Sequence, residues 1–257
     1  MKIASWNVNS LRVRLSHILS WLETNQPSVL GLQETKVTDD LFPEQAIAEA
    51  GYEAVYAGQK TYNGVALMAK RAPVDIVTDL PGFEDPQRRV LAATVDKFRI
   101  INLYVPNGQA VGTEKYEYKL NWLLALRDFL DDQLKEHEHI VVMGDFNIAP
   151  EDRDVHNPKA WEGSVLCSEP ERAALRKIAD LGFVDTFRLF EQKENTFSWW
   201  DYRAAAFRRN LGLRIDLILA SPPLESACTR SIVDCEPRTW DKPSDHAPVL
   251  AEFTLSK

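Results

Sequence analysis

Ile140-Val141-Val142-Met143-Gly144-Asp145-Phe146-Asn147 is the stretch that decides the fold of this chain. Its apolar, partly β-branched run predicts a buried strand, and the glycine, acid and amide that follow end it. Asp145 and Asn147 lie on one side of an extended segment, because alternate side chains point the same way. A carboxylate beside an amide suits the holding and orienting of a water molecule, although an ordinary Asp/Asn turn gives the same pattern.

Four other apolar runs end in the same way, with a short polar segment. These segments are Ser5-Trp6-Asn7, Leu32-Gln33-Glu34-Thr35, Arg214-Ile215-Asp216 and Ser244-Asp245-His246. Polar side chains at strand ends can converge on one point of a sheet rim, and carboxylates about 4 Å apart repel by roughly 4 kcal/mol at an effective dielectric near 20. If the fold brings these acids together, the sequence predicts a bound metal ion near Glu34, Asp145, Asp216 and Asp245.

Each acid, taken alone, also has an ordinary explanation. Glu34 can be a solvated loop charge. Asp216 lies among apolar residues, where an acid is costly unless it is paired, so a structural salt bridge to Arg214 is the alternative to a functional partner. His246 offers such a partner, because a carboxylate bonded to an imidazole fixes its tautomer and favours its charged form.

The composition is that of an ordinary globular protein. The chain has 257 residues, of which 45% are hydrophobic and 26% charged, enough for one large α/β domain or two smaller ones. No apolar stretch approaches the roughly 20 residues of a membrane span. We read no signal peptide at the N-terminus, and we therefore expect a cytoplasmic protein without membrane contact.

Charge and cysteine content restrict the chemistry. The formal net charge of −8 argues against indiscriminate binding of polyanions, so a nucleic-acid enzyme of this composition must concentrate its cations locally. The three cysteines, Cys167, Cys228 and Cys235, form no C-x-x-C motif. We interpret them as isolated reduced thiols, which leaves a zinc site unsupported.

The hydrophobic pattern predicts many strands and few helices. The predicted strands are Lys2–Trp6, Ser28–Gln33, Ala54–Ala57, Val65–Ala69, Leu91–Val95, Ile100–Tyr104, His139–Met143, Thr196–Trp199, Ile215–Ala220 and Val249–Phe253. The predicted helices are Arg14–Thr24, Tyr116–His137 and Glu169–Leu181. The last helix begins with a capping box, Ser168 with Glu171, and is followed by Gly182.

This ratio of strands to helices is too high for a simple doubly wound sheet. It favours an α/β fold in which two packed sheets are flanked by helices. The sequence contains no repeat of 20 to 50 residues and no low-complexity linker, so we place residues 1–257 in a single domain.

The stretch from Trp199 to Arg214 combines four arginines with four aromatic residues. Aromatic faces can stack on bases or on the gap that a missing base leaves, and arginines bind phosphates. A core strand edge followed by an exposed basic loop is the alternative explanation.

Taken together, these segments closely resemble the exonuclease III family of apurinic/apyrimidinic endonucleases. That family is part of the endonuclease/exonuclease/phosphatase superfamily, which shares its fold with DNase I. The resemblance rests on Ser5–Asn9, Leu32–Lys36, Gly58–Lys60, Gly64–Ala66, Gln87–Arg89, Tyr104–Gly108, Gly144–Pro150, Thr196–Arg203, Gly212–Asp216 and Pro243–Pro248. It implies a DNase I-like four-layer α/β sandwich of two mixed β-sheets between helices.

The resemblance also implies a role for each matching residue. Glu34 would be the principal ligand of Mg²⁺, for which Mn²⁺ would be able to substitute, with Asn7 beside it and Asp245 nearby. Asp145 and Asn147 would orient the attacking water close to the ion, and His246, positioned by Asp216, would contact the scissile phosphate and lie within reach of the metal. Tyr104 would lie against the same phosphate.

For contact with DNA, the resemblance points to a further set of side chains. They are Lys36, Arg88, Asn107, Trp199, Arg203 and Leu213. Trp199 and Leu213 would be walls of a pocket for a base-less sugar, from which a nucleotide with a base is excluded by size. Trp200 and Asn107 depart from the residues common in the family, Phe and Gln, and could retune the rim of this pocket.

The implied function is that of a Mg²⁺-dependent DNA-repair nuclease acting as a monomer in the bacterial cytoplasm, at the nucleoid. It would cleave duplex DNA 5′ to abasic sites, with 3′→5′ exonuclease and 3′-phosphatase or phosphodiesterase activity. One alternative is a mainly 3′→5′ exonuclease with weak activity at abasic sites. A superfamily phosphatase would lack the W-x-D-Y-R stretch, and a non-catalytic nucleic-acid-binding regulator would have lost acids or the histidine.

Overall fold

A computed structural model describes residues 1–255 of the chain. Its strands are β1 Lys2–Asn7, β2 Val29–Gln33, β3 Glu53–Ala57, β4 Val65–Ala69, β5 Val74–Val77, β6 Val90–Val95, β7 Phe98–Tyr104, β8 Ile140–Asp145, β9 Val184–Asp185, β10 Trp199–Trp200, β11 Gly212–Leu213, β12 Asp216–Ala220, β13 Cys228–Val233 and β14 Val249–Phe253. Its α-helices are α1 Leu11–Asn25, α2 Glu44–Glu49, α3 Glu114–Glu136, α4 Pro158–Trp161, α5 Glu169–Ala179 and α6 Pro222–Glu225. None of the helices within the described range combines the length and the apolar character needed to cross a bilayer.

The strands form two six-stranded sheets and one short ribbon. The first sheet has the order β13-β14-β1-β2-β4-β3, the second has the order β5-β6-β7-β8-β12-β9, and β10 pairs with β11. Each large sheet is mixed, because β1 runs parallel to β2 and β7 runs parallel to β8, while their other pairs are antiparallel.

Apolar side chains fill three layers of contact between these elements. Residues from both sheets, among them Val29 and Met143, form a core between the sheets. The outer face of the first sheet packs against α1 and α2, and that of the second packs against α3 and α5. The two packed mixed sheets flanked by helices that the sequence predicted are therefore confirmed.

Most predicted elements match the observed ones to within two residues at each end. One predicted strand, Thr196–Trp199, overlaps the observed strand only at Trp199, because β10 consists of Trp199–Trp200. Helix α1 begins earlier than predicted, at Leu11, because the backbone N–H groups of Ser10 and Leu11 donate to carbonyls of the loop after β2 at 2.8 and 3.0 Å. The predicted capping box of Ser168 and Glu171 is present at the start of α5.

The elements that the sequence pattern did not reveal are short or exposed. They are the strands β5, β9, β11 and β13 and the helices α2, α4 and α6. Strand β5, for example, is largely exposed and shows no buried face. The four strands are defined by their hydrogen bonds to neighbouring strands rather than by their own periodicity, and the three helices are only four to six residues long.

A buried amide cross-links the two sheets. Asn102 of β7 is fully buried, and its Nδ2 donates to the carbonyls of Leu32 and Ala66 in the first sheet at 2.9 and 3.1 Å. Its Oδ1 accepts from Gln33 Nε2 at 2.6 Å. Gly31 leaves room for this amide, because a Cβ there would lie 2.7 Å from Asn102 Oδ1. These bonds fix how the ends of the strands meet.

We predict that Asn102→Leu lowers the free energy of unfolding by about 3 kcal/mol or more, because it leaves several buried polar groups without partners at roughly 1–3 kcal/mol each. Urea denaturation measures the change. Ile101→Val, on the opposite face of the same strand, is the control and should cost only about 1 kcal/mol. Equal losses in the two variants would contradict a specific role for the cross-link.

Candidate active site

The candidate site lies where strand ends of both sheets meet. The last residue of β1, Asn7, is the register partner of the last residue of β2, Gln33. In the second sheet, the last residue of β8, Asp145, is flanked by the last residue of β7, Tyr104, and by the first residue of β12, Asp216. The strand register therefore brings these polar side chains to one rim.

The amide of Asn7 joins the acids of the two sheets. Its Nδ2 donates to Glu34 Oε1 and to Asp145 Oδ2, each at 2.9 Å. Glu34 adopts a left-handed backbone conformation with φ 51°, which is uncommon outside glycine. A hydrogen bond of 2.8 Å from the backbone N–H of Ser10 to the Glu34 carbonyl holds it there. Such local strain is typical of functional sites.

Three side chains of the rim could hold a metal ion. Glu34, Asp145 and His246 each offer one ligand atom, and these atoms lie within 4.8 Å of one another. Carboxylate oxygens are the ligands that Mg²⁺ and similar hard cations prefer, so the two acids fit such an ion. Lys36 Nζ lies 2.7 Å from Glu34 Oε2 and supplies part of the balancing charge.

Burial makes the charge of Asp145 costly. It raises the pKa of this carboxyl to about 7, although the positive charge of His246 acts in the opposite direction. A bound cation would stabilise the carboxylate form. A buried acid whose charge needs a cation, beside a second acid, is the chemistry expected of a metal site.

His246 is held as a cation by Asp216. Its Nδ1 lies 2.9 Å from Asp216 Oδ2, which also accepts from Ser198 Oγ at 2.6 Å. Burial alone would lower the pKa of His246, but the charges of Asp216 and Asp145 outweigh it and raise the pKa to about 10. An imidazolium ring has no lone pair for a metal. Its Nε2 lies 3.7 Å from Asp145 Oδ2, so it suits contact with an anion better than ligation.

The other proposed partner of Asp216, Arg214, is engaged elsewhere. Its Nε lies 2.6 Å from Asp154 Oδ1 and its Nη2 lies 2.7 Å from Asp185 Oδ2. Arg214 therefore belongs to a separate buried ion-pair network. The structural salt bridge that the sequence left open for Asp216 is not formed with this arginine.

Tyr104 stands as a neutral phenol at the rim. Its pKa is raised well above the usual value by burial and by the charges of Glu34 and Asp145. The guanidinium of Arg89 lies over its ring, 4.7 Å from the centroid. The phenol therefore retains its proton and can donate a hydrogen bond.

Asn147 is fixed by both its backbone and its side chain. Its backbone N–H donates to Asp145 Oδ1 at 2.9 Å. Its Nδ2 donates to the Val105 carbonyl at 3.0 Å, and its Oδ1 accepts from Asn107 Nδ2 at 3.1 Å. The turn after β8 thus orients the carboxylate of Asp145.

Asp245 lies outside the group of three potential ligands. Its carboxylate accepts from Asn9 Nδ2 at 2.9 Å and from Trp199 Nε1 at 3.0 Å. Asn9 Oδ1 in turn accepts from Lys36 Nζ at 2.6 Å. Although burial opposes its charge, the positive charge of His246 and these donors keep the pKa of Asp245 low. Asp245 is therefore an ionised acid whose oxygens anchor Trp199 and Asn9.

The four acids singled out in the sequence thus lie in one region but not in one cluster. Glu34 and Asp145 face each other, while Asp216 supports His246 and Asp245 supports Trp199. Their catalytic and ligand roles stay predictions.

The residues predicted to contact DNA lie in two different settings. Trp199 and Leu213 are register partners in the short ribbon, and a β-bridge joins Trp199 to His246, so this pair borders the site. Arg203 is exposed and Arg88 is half-buried, and each is paired with an acid on its own surface, Arg88 with Asp79 at 3.1 Å. The DNA contacts of all these residues stay predictions.

Asn9 and Ser198 contribute to the site without having been assigned a role from the sequence. Both lie inside the stretches that carry the family resemblance. The family resemblance was therefore the feature of the sequence that could have identified these residues. The partner of each side chain lies far away in the sequence, so its contact became visible only in the folded chain.

The sequence profile of the "Endonuclease/Exonuclease/phosphatase family" matches residues 4–246. The chain belongs to this family. It is 38% identical over 266 residues to "Exodeoxyribonuclease III" of Haemophilus influenzae, and the match covers 98% of this chain and 100% of the relative. The resemblance to the exonuclease III family is confirmed.

Solved structures of similar proteins agree with this family membership. NExo, a 3′ phosphatase from Neisseria solved with a product DNA hairpin, matches with a TM-score of 0.98 at 46% identity, covering 99% of this chain and 100% of that chain. An AP endonuclease from Archaeoglobus fulgidus matches with a TM-score of 0.95 at 40% identity, again covering 99% and 100%.

We predict that in the metal-free protein the ring of His246 stays protonated at pH 8, and that Asp216→Asn lowers its pKa by about 1–3 pH units. Because the pKa in the folded protein is raised, the stabilisation from this ion pair is complete below about pH 6.5 and is lost as the pH rises towards about 10. NMR of the ring nitrogens measures the titration. Asp128→Asn, a substitution of an exposed acid, is the control. A wild-type ring that titrates near pH 6.5 would contradict the assignment.

Proposed function

We propose that this protein hydrolyses phosphodiester bonds of duplex DNA on the 5′ side of abasic sites and removes nucleotides or blocking groups at 3′ ends, with a divalent cation as cofactor. Its relatives carry names of DNA exonucleases and AP endonucleases, and at this level the prediction of a DNA-repair nuclease is confirmed. One observation carries the proposal: acids of two sheets, Glu34 and Asp145, meet beside the cationic ring of His246.

In this proposal Glu34 is the principal ligand of the cation, and Asp145 supports it from the other sheet. When bound, the cation supplies positive charge that stabilises the developing charge on phosphate and leaving oxygen. Asp145 accepts a hydrogen bond from the attacking water in its carboxylate form, which a bound cation would stabilise. Asn147 supports the orientation of this carboxylate through its backbone N–H.

The other two groups act on the phosphate. The imidazolium of His246 donates from Nε2 to a non-bridging phosphate oxygen, where negative charge builds up in the transition state. Asp216 keeps this ring protonated and oriented. Tyr104, whose phenol stays neutral, donates to the same phosphate on the side of the leaving 3′-oxygen.

Selection of the abasic site is assigned to the ribbon of β10 and β11. Trp199 and Leu213 pair across it, and a β-bridge joins Trp199 to His246; in this proposal the half-buried Trp199, backed by the fully buried Leu213, forms an apolar wall beside the reacting groups. A base-less sugar can be extruded against such a wall, whereas a nucleotide with its base is too large. Discrimination by size needs no readout of sequence.

A second candidate is an enzyme that acts mainly at 3′ ends and weakly at abasic sites. The match to a Neisseria 3′ phosphatase favours it, whereas the match to an Archaeoglobus AP endonuclease favours the first candidate. A duplex with an abasic analogue and a duplex with a recessed 3′ end, assayed side by side, separate the two.

Several finer points stay predictions. They are Mg²⁺ as the cellular ion, the monomeric state, the single domain over residues 1–257, and action in the cytoplasm at the nucleoid.

We predict that Asp145→Asn lowers the rate of cleavage of an abasic-analogue duplex by 100-fold or more, since removal of one preorganised group typically costs about 10²–10³ in kcat. The substitution keeps the size of the side chain, so the fold should be retained. Rates are measured by gel with MgCl₂ and again with excess EDTA, which should abolish cleavage until Mg²⁺ is restored.

Asp128→Asn, in an exposed part of α3, is the matched control and should leave the rate unchanged. Undiminished cleavage in EDTA would contradict the metal requirement. A wild-type rate in Asp145→Asn would contradict the role of that carboxylate.

A further inference from the structure

A lysine with no solvent exposure lies directly behind the candidate site. Lys119 of α3 has a side chain that is 0% exposed. Its ammonium group donates to the carbonyl of Asn147 at 2.6 Å, to the carbonyl of Asn107 at 3.1 Å, and to Glu171 Oε1. An ammonium group has three N–H donors, and each has a partner here.

Glu171 balances this charge and is itself fully satisfied. Its Oε1 accepts from the backbone N–H of Leu166 at 3.0 Å, and its Oε2 accepts from the backbone N–H of Ser168 at 3.1 Å. The carboxylate therefore caps α5 whether or not Lys119 is present. A buried ion pair is weak evidence for stability, because taking both charges out of water offsets their attraction. A buried lysine whose ion pair adds little net stability, and whose other two donors bind loop carbonyls at the site, points to a further role.

The two carbonyls that Lys119 binds belong to the turns that carry the reacting groups. Asn147 has φ 50°, in the left-handed region, and its backbone N–H bonds to the Asp145 carboxylate at 2.9 Å. The side chains of Asn107 and Asn147 bond to each other at 3.1 Å. One ammonium group thus holds both turns in register.

We infer that Lys119 is a positioning residue that aligns Asp145 and Asn147 for attack on the phosphate through the carbonyls of Asn107 and Asn147. This inference rests on the proposed function. Lys119 touches no reacting atom itself. Its effect should therefore appear in kcat, since a turn that is out of place lowers the fraction of complexes in reactive geometry while DNA still binds.

The decisive variant replaces both charges, Lys119→Met with Glu171→Gln. It leaves no unpaired buried charge, and the carbonyl oxygen of the new glutamine can still accept from one of the two backbone N–H groups at the start of α5, a loss that is common to both variants compared here. It is compared with the single variant Glu171→Gln, which leaves the lysine without its ion-pair partner but in contact with both carbonyls. Thermal unfolding and steady-state kinetics on an abasic-analogue duplex are measured for both and for the wild type.

If Lys119 is a positioning residue, the more stable of the two variants should be the less active one. The double variant should be the more stable of the two, with kcat at least 10-fold below wild type and KM within about 3-fold. The single variant should be less stable but keep most of its kcat per folded molecule. In the metal-free proteins, the side-chain amide resonances of Asn107 and Asn147 should shift in the double variant and not in the single one.

Other outcomes overturn the inference. A folded double variant with wild-type kcat shows that Lys119 is merely structural. If the double variant does not fold, the single variant Glu171→Gln decides the question. A kcat per folded molecule below one tenth of the wild-type value in that variant overturns the inference as well. Wild-type protein that cleaves neither the abasic-analogue duplex nor a duplex with a recessed 3′ end refutes the proposed function instead, so the two failures are distinguishable.

Discussion

Two carboxylates that belong to different sheets repel each other at the site, and the rest of the structure has to offset that repulsion. Glu34 and Asp145 are brought to one point, and a single amide, that of Asn7, bridges them at 2.9 Å on each side. Such an arrangement survives only if the sheets are locked against each other. The buried amide of Asn102 provides that lock a short way behind the rim. The amide of Asn102, buried beside the apolar core between the sheets, therefore fixes how the strand ends that carry these acids meet.

The remaining charges near the rim are balanced locally, each in a different way. Asp216 faces the imidazolium of His246, and Asp245 receives neutral donors from Trp199 and Asn9. The facing carboxylates of Glu34 and Asp145 are therefore the acids whose negative charge a bound cation would offset. In the proposed function, a protein with a net charge of −8 acts on a polyanion because the charge of His246 and a bound cation would offset the acids where the phosphate is proposed to bind.

The sequence predicted the strand ends well because buried strands are apolar runs, and a polar residue that closes such a run stands out. It could not predict the contacts of Asn102 or Lys119. Asn102 is a lone polar residue inside an apolar strand, and Lys119 lies in a largely polar part of α3, where a lysine looks like an exposed residue until its partners are known. The sequence left His246 and Arg214 open as partners of Asp216, and the structure pairs Asp216 with His246. The sequence did not show that only two of the four acids, Glu34 and Asp145, would face each other. The anchoring of Trp199 by Asp245 depends on contacts between segments far apart in the chain, which no local pattern encodes.

The central claim is that Glu34 and Asp145 together form a binding site for a divalent cation. Anomalous diffraction from crystals grown with MnCl₂ tests it most directly. The account predicts a manganese peak within bonding distance of a Glu34 carboxylate oxygen and adjacent to Asp145. A peak located elsewhere, with these two side chains still joined only through Asn7, would contradict it.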